Sequence, residues 1–146
     1  MNKTILLVED NASDEKLTVL AFKKCGVAND VVVVRDGAAA LDYLFAEGAY
    51  AGRDPSVVPT VTLLDLKLPK IDGLEVLKRI KGDPRTKMIP VVMLTSSKEQ
   101  RDVVESYQLG VNSYIVKPVN YERFTEAVRN LGAYWQLLNQ PPMIAG

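Results

Sequence analysis

The sequence predicts an α/β fold in which helices cover a doubly wound parallel β-sheet. Short apolar runs alternate with amphipathic segments along the chain, a pattern typical of βα repeats. Polar side chains begin where several of these runs stop, and the carboxyl ends of parallel strands are where active sites gather. The chain of 146 residues fits one domain. We therefore expect a single domain over 1–146.

Five apolar runs are predicted to be buried strands, because each is short and continuous. In chain order they are 4–8, 30–34, 60–64, 90–94 and 113–116. Pro90 takes the first position of its strand, where proline is tolerated. The amphipathic segments predict helices at 12–24, from 37 onward, at 73–81, at 98–109 and, as an extended C-terminal helix, at about 120–140.

Capping residues mark the predicted helix starts. Asn11 or Ser13 is expected to cap the first helix, Asp36 precedes the second, and Asp72 lies near the cap of the third. Apolar residues are predicted to share one face of the first, third and fifth helices: Leu17, Leu20 and Ala21; Leu74, Leu77 and Ile80; Phe124, Val128, Leu131, Trp135 and Leu138. Residues 48–59 contain two glycines and two prolines and predict an elongated surface loop.

The composition argues against several classes of function. The formal net charge is zero, which suggests neither nucleic acid nor an anionic membrane as a partner. The chain has no histidine, so it carries no histidine base, metal ligand or phosphocarrier. Its one cysteine, Cys25, cannot form an internal disulfide. No signal-peptide pattern or membrane-spanning apolar stretch is present, and we expect a cytoplasmic protein.

Asp65 is the candidate nucleophile, since it follows a fully apolar strand that would hold it rigidly and leave it accessible. A carboxylate can accept a phosphoryl group to give an acyl phosphate. Taken alone, an aspartate at a strand end is also typical of a residue that caps a turn. The case for Asp65 therefore depends on the residues that the fold brings to it.

Glu9 and Asp10 follow the first strand and are expected to lie beside Asp65. Two unit charges 4 Å apart repel by about 4 kcal/mol at an effective dielectric constant of 20. A divalent cation removes this repulsion, and carboxylate oxygens with open water positions suit Mg²⁺. The alternative is a solvated acidic loop that caps the first helix.

Thr95 and Lys117 complete the predicted pocket from the fourth and fifth strands. A hydroxyl at the end of a strand can bond a phosphoryl oxygen, and the Lys117 ammonium can pair with the same group as a point charge. Thr95, however, also opens a Thr-Ser-Ser run that is typical of a helix cap. Tyr114 lies in the fifth strand, where an aromatic side chain is more often part of the core.

These residues resemble the receiver domain of two-component response regulators over most of the chain, from Lys3 to about Leu131. The motifs that carry the resemblance are LLVEDN at 6–11, LLDLKLPKIDG at 63–73, PVVMLTSS at 90–97 and YIVKP at 114–118. The resemblance implies a flavodoxin-like fold with strand order 2-1-3-4-5. It also implies phosphorylation of Asp65 by the phosphohistidine of a partner kinase, in a protein without its own output domain.

The resemblance further implies a role for each site residue. Mg²⁺ is expected to be bound by Asp10, Asp65 and the backbone carbonyl of Lys67, with Glu9 reaching it through water. Thr95 and Tyr114 are the implied switch pair, and Lys117 is the implied phosphoryl contact. Phosphorylation is expected to shift the fourth helix and fifth strand toward a second arrangement.

The partners are suggested by weaker features of the sequence. The loop at 48–59, the segment at 80–84 and the tail with Trp135 resemble those of single-domain regulators that serve cyanobacterial and bacterial phytochromes. A phytochrome is thus the expected kinase. The last turns of the fifth helix exceed what the sheet needs for cover, so a homodimer through the fifth strand and fifth helix is also expected.

Two other functions remain open from the sequence. A phosphatase of the haloacid-dehalogenase type also uses a strand-end aspartate, a hydroxyl, a lysine and Mg²⁺. Such enzymes have a second aspartate two residues after the nucleophile, and that position here is Lys67. The other alternative is an interaction scaffold with a vestigial pocket, which the full acidic set argues against because unneutralised carboxylates repel one another.

Overall fold

The central sheet has five parallel strands in the order β2-β1-β3-β4-β5. The computed structural model describes residues 4–24, 27, 29–117, 122 and 126. The strands are β1 Thr4–Val8, β2 Asp30–Val34, β3 Val61–Leu64, β4 Val91–Thr95 and β5 Ser113–Val116. The doubly wound fold and the strand order implied by the sequence are confirmed. The observed β3 begins one residue later than predicted, and β4 is shifted by one residue, so that Thr95 ends the strand instead of following it.

Four helices are described in full. They are α1 Ala12–Lys24, α2 Gly37–Phe45, α3 Gly73–Gly82 and α4 Gln100–Gln108, and a short 3₁₀ helix spans Gly48–Tyr50. No helix in the described part of the chain has the length and apolar character needed to cross a membrane. Of the predicted fifth helix only Glu122 and Glu126 are described, and both are helical. The rest of that helix, with Trp135, lies outside the described residues, as do Cys25 and Pro118.

The helix starts follow the predicted capping chemistry. Asn11 accepts a hydrogen bond from the Asp14 amide at 3.0 Å, which selects Asn11 over Ser13 as the cap of α1. The carboxylate of Asp36 accepts from the Ala39 amide at 2.7 Å. In the same way, the Asp72 carboxylate accepts from the Glu75 amide at 3.0 Å. Each side chain satisfies one of the amides that a helix start leaves without a partner.

The core has two layers because successive side chains of a strand point to opposite faces of the sheet. Leu6 and Val8 of β1 pack with α2 and α3, while Ile5 and Leu7 pack with α1 on the other face. The prediction for α1 was largely wrong. Its buried residues are Thr18, Ala21 and Phe22, whereas Leu17 and Leu20 are 49% and 48% exposed.

The segment 48–59 is anchored to the end of α2 by Arg53. Its guanidinium donates to the carbonyl oxygens of Tyr43 at 2.7 Å, Leu44 at 3.3 Å and Val57 at 2.5 Å. It also lies 4.2 Å from the centroid of the Tyr43 ring, which Tyr50 meets edge-on. The last carbonyls of a helix lack intrahelical partners, and a positive charge there also interacts favourably with the negative end of the helix dipole. The predicted surface loop therefore has a defined attachment.

Candidate functional site

The carboxyl ends of three strands bring the principal polar residues together. Glu9 follows β1, Asp65 follows β3 and Lys117 follows β5. The amide of Glu9 donates to the Val34 carbonyl at 3.0 Å, and the amide of Asp65 donates to the Val8 carbonyl at 3.2 Å. These bonds extend the parallel ladder by one residue past the strands, so the sheet fixes the backbone of the acidic residues.

Glu9, Asp10 and Asp65 form an acidic cluster. One carboxylate oxygen of each lies within 4.8 Å of those of the other two. Glu9 is only 1% exposed and Asp65 only 7%, whereas Asp10 faces solvent. Charged oxygens at this separation repel strongly in a partly buried site. The donor set fits a hard divalent cation, which prefers carboxylate oxygens and can keep bound waters on the open side.

Lys117 is the cationic centre of the site. Its Nζ atom lies 2.9 Å from Oδ2 of Asp65, 2.5 Å from Oε1 of Glu9 and 3.0 Å from Oδ2 of Asp14. The Lys117 side chain is 9% exposed. Burial by itself lowers the pKa of this ammonium, but the hydrogen bonds that it donates to the three carboxylates outweigh burial and raise the pKa. Lys117 is therefore firmly charged.

For the pKa of Glu9, burial outweighs the hydrogen bonds. Burial raises the pKa of its carboxyl, although the hydrogen bonds from the Lys117 ammonium and the Asn11 amide work to lower it. The Asn11 amide donates to Oε2 of Glu9 at 3.2 Å. Within the described part of the chain, the site holds more negative charge than the Lys117 ammonium compensates, since Asp10, Asp14 and Asp65 also lie around it.

The loop after Asp65 is closely packed against the start of α3. The Lys67 amide donates to Oδ1 of Asp65 at 3.3 Å, while Lys117 holds Oδ2. At Gly73 a Cβ atom would lie 2.1 Å from the Asp65 carbonyl oxygen, so only glycine permits this approach. Both carboxylate oxygens of Asp65 therefore have defined neighbours. The metal-ligand role of the Lys67 carbonyl stays a prediction.

Thr95 and Tyr114 are linked through Ser97. The Ser97 amide donates to Oγ1 of Thr95 at 3.3 Å, and the Tyr114 hydroxyl donates to the Ser97 carbonyl at 3.0 Å. The Ser97 hydroxyl donates to Oδ2 of Asp102 at 2.5 Å, which ties the loop after β4 to the first turn of α4. Burial raises the pKa of the Tyr114 hydroxyl. The connection provides a physical link between the predicted switch residues, whose roles remain predictions.

One residue of this site, Asp14, was not singled out from the sequence, and the contacts of Ser97 were not foreseen. Asp14 lies on α1 and not at a strand end, so the rule that found the other carboxylates misses it. Asp14 lies three residues after the Asn11 cap, and at that spacing a helical side chain points back over the start of the helix. This spacing is the sequence signal that could have placed Asp14 at the site. The sequence places Ser97 beside the pocket and in a capping run, and its side chain does accept from the Glu99 amide at 3.4 Å. Its contacts with Thr95 and Tyr114 were not predicted.

A family comparison agrees with this geometry. The profile of the response regulator receiver domain matches residues 5–129. The chain belongs to the response regulator receiver family. Among curated proteins, this receiver is 44% identical over 139 residues to the probable methanogenesis regulatory protein FilR2 of Methanothrix harundinacea, covering 94% of this chain and 86% of that protein. It is 41% identical over 133 residues to the response regulator Rcp1 of Synechocystis, covering 91% and 88%.

Three solved structures of response regulators are also similar to this receiver. The bacteriophytochrome response regulator RtBRR aligns with a TM-score of 0.84 and 53% identity, over 98% of this chain and 86% of that one. The phosphorylated cyanobacterial phytochrome response regulator RcpA aligns with a TM-score of 0.77 and 44% identity, over 92% and 94%. The Mn²⁺-bound form of Rcp1 aligns with a TM-score of 0.76 and 40% identity, over 90% and 93%.

Proposed function

We propose that this receiver accepts a phosphoryl group on Asp65 from a partner histidine kinase and transmits the change to a downstream protein. The observation that carries the proposal is the 2.9 Å contact between Lys117 and Asp65 beside the acidic cluster. A rigid carboxylate, a fixed ammonium and a cation-binding set are the elements that phosphoryl transfer to an aspartate requires. The absence of a carboxylate at position 67 disfavours the phosphatase alternative.

In the proposed step a carboxylate oxygen of Asp65 bonds to phosphorus as the phosphorus–nitrogen bond of the donor phosphohistidine breaks. The electron pair leaves with the imidazole nitrogen of the kinase. Lys117 holds one Asp65 oxygen and its charge opposes the negative charge of the arriving phosphoryl group. The sheet holds Asp65 in place, so little ordering is needed during the step.

Mg²⁺ is the proposed cofactor. Asp10, Asp65 and the Lys67 carbonyl would hold the ion, and Glu9 would contact it through water. When bound, the ion offsets the charge of the carboxylates and of the phosphoryl oxygens. Support comes from the carboxylate spacing within 4.8 Å and from the Mn²⁺-bound form in which the relative Rcp1 was solved.

A phytochrome is the proposed kinase, because RtBRR and RcpA are response regulators of phytochromes. Thr95 and Tyr114 are the proposed switch pair, with Ser97 between them. The homodimer through β5 and the fifth helix also remains a proposal, as does the extent of the domain over 1–146 with a long C-terminal helix.

The test is phosphoryl uptake from radiolabelled acetyl phosphate, with Mg²⁺ or with EDTA. Wild-type protein should take up at most one equivalent, and only with the metal. Asp65→Asn should remain unlabelled, while the control Asp54→Asn, in the exposed loop, should label like wild type. Continuous release of phosphate from small phosphate esters would instead support a phosphatase. Transfer from an autophosphorylated bacteriophytochrome, compared with unrelated histidine kinases, tests the proposed partner.

A further inference from the structure

Asp14 occupies one of the three hydrogen-bonding positions of the Lys117 ammonium. An ammonium group has three donors and no acceptor. Among the described residues, Nζ contacts three carboxylates, those of Glu9, Asp14 and Asp65. A phosphoryl oxygen that pairs with Lys117 must therefore replace one of these carboxylates or share a donor with it.

The burial of the three carboxylates distinguishes them. The side chain of Glu9 is 1% exposed and that of Asp65 is 9% exposed, whereas that of Asp14 is 32% exposed. A buried carboxylate that loses its cation is left uncompensated, while one at the rim is resolvated by water. Asp14 is thus the carboxylate that Lys117 releases at the smallest cost.

The backbone of Asp14 is fixed independently of Lys117. Its amide donates to Oδ1 of Asn11 at 3.0 Å, and its carbonyl accepts from the Thr18 hydroxyl at 2.8 Å. The first turn of α1 therefore presents the carboxylate to an ammonium that lies 103 residues further along the chain. The contact is between a fixed helix start and the end of β5.

We propose that Asp14 is a positioning residue that holds Lys117 in the unphosphorylated receiver and competes with the phosphoryl group for its ammonium. The inference rests on the proposed function of Asp65. Asp14 holds Lys117 close to Asp65 before transfer, and its negative charge opposes the phosphorylated state. Loss of that charge should therefore raise the phosphorylated fraction while leaving the fold intact.

Asp14→Asn and the matched control Glu15→Gln test the competition. Each variant removes one carboxylate from the first turn of α1, but Glu15 pairs with Arg35 instead of Lys117. With acetyl phosphate and saturating Mg²⁺, the ratio of phosphorylated to unphosphorylated protein should rise roughly three- to fivefold in Asp14→Asn, the upper part of the range expected for an exposed charge pair. Glu15→Gln should stay within about twofold of wild type.

A second readout separates positioning from a general effect of charge. The nitrogen NMR resonance of the Lys117 ammonium in unphosphorylated protein should shift in Asp14→Asn and not in Glu15→Gln. An unchanged or lower phosphorylated fraction in Asp14→Asn, an equal rise in both variants or an unmoved resonance would overturn the competition. If wild type takes up no phosphoryl group, the proposed function fails as well. If wild type is labelled and the phosphorylated fraction of Asp14→Asn is unchanged, the competition is overturned but the proposed function is not.

Discussion

The Nζ atom of Lys117 lies 2.9 Å from Oδ2 of Asp65, although β4 separates their two strands in the sheet. The amide of Lys117 donates to the Thr95 carbonyl at 2.7 Å, so its backbone is fixed beside β4 while its side chain extends across that strand. The same ammonium contacts Glu9 and Asp14. One cation thus compensates several carboxylates, and the stability of this edge of the sheet should depend on it.

Replacing Lys117 with methionine should destabilise the metal-free protein. Removing one partner of a buried ion pair leaves uncompensated charge and typically costs about 3–5 kcal/mol. The loss should shrink when Mg²⁺ is added, because the cation takes over part of the compensation. Urea unfolding in EDTA and in Mg²⁺ measures both effects.

Lys70→Met is the matched control for Lys117→Met. The Lys70 ammonium pairs with Asp36 at 3.5 Å, but its side chain is 68% exposed. Its replacement should change the free energy of unfolding by less than about 1 kcal/mol, with no dependence on Mg²⁺. Equal losses in the two variants would contradict the special position of Lys117.

Glu9→Gln should stabilise the metal-free protein at neutral pH. Burial raises the pKa of Glu9 in the folded state above its ordinary value of 4.5. Below pH 4.5 the Glu9 carboxyl is largely protonated in both the folded and the unfolded protein. Above the raised pKa it is ionised in both, and the folded protein has lost stability because it releases this proton less readily than the unfolded chain. Wild type should thus lose stability as the pH rises through this window, and Glu9→Gln should not.

Urea unfolding in EDTA at several pH values measures the Glu9 effect. Glu75→Gln serves as the control, because the Glu75 side chain is 42% exposed and pairs with Arg79 one turn away on α3. The control should show no stabilisation in the same window. A Glu9→Gln variant that is less stable than wild type at neutral pH would be incompatible with burial as the dominant cause.

The fold was largely predictable because its signals are local and mutually consistent. Continuous apolar runs gave the five strands, and Asp36 and Asp72 gave two helix starts. The strand order itself came from the resemblance to receivers, since apolar runs alone do not say which strand pairs with which. The one-residue shift at Thr95 reflects backbone pairing with Val116, which the side-chain pattern does not record.

The parts that were missed depend on tertiary contacts. Leu17 and Leu20 fit an apolar face, yet α1 buries Thr18 and Phe22 instead. Thr18 can be buried because its hydroxyl donates to the Asp14 carbonyl at 2.8 Å, which the apolar pattern does not anticipate. Arg53 bonds to backbone carbonyls, and any residue type supplies those, so the sequence gives no partner to look for.

Arg53→Gln should loosen the loop at 48–59 from α2. The change removes three hydrogen bonds to carbonyl oxygens and the contact with the Tyr43 ring. We expect a loss of about 2 kcal/mol in the free energy of unfolding, typical of bonds from a charged donor. The rate of amide hydrogen exchange should rise in this loop, while exchange in the sheet should remain slow.

Arg101→Gln is the control for Arg53, since the Arg101 side chain is 83% exposed and pairs only with Glu99 among the described contacts. It should leave stability and exchange in the loop unchanged. Wild-type exchange rates in the Arg53 variant would show that the loop is held by other contacts.

Tyr114→Phe should separate phosphorylation from its transmission. The variant loses the 3.0 Å hydrogen bond to the Ser97 carbonyl but keeps the aromatic ring. Uptake from acetyl phosphate should stay within about twofold of wild type, and stability should fall by about 1 kcal/mol. The phosphorylation-induced changes in the amide NMR spectrum of α4 should be smaller.

Tyr107→Phe, on the exposed side of α4, provides the comparison for Tyr114 because its ring is also kept. This variant should show the full spectral change on phosphorylation. A full change in Tyr114→Phe as well would remove Tyr114 from the switch.

The most direct test of the central claim is to locate the phosphoryl group. Wild-type protein is phosphorylated with acetyl phosphate and Mg²⁺, and the acyl phosphate is reduced with borohydride to homoserine before peptide mass spectrometry. We expect homoserine at position 65 and at no other carboxylate. Homoserine at Asp10 or Asp14, 5-hydroxynorvaline at Glu9, or phosphate retained on Thr95 or Ser97 with Asp65 intact, would contradict this assignment.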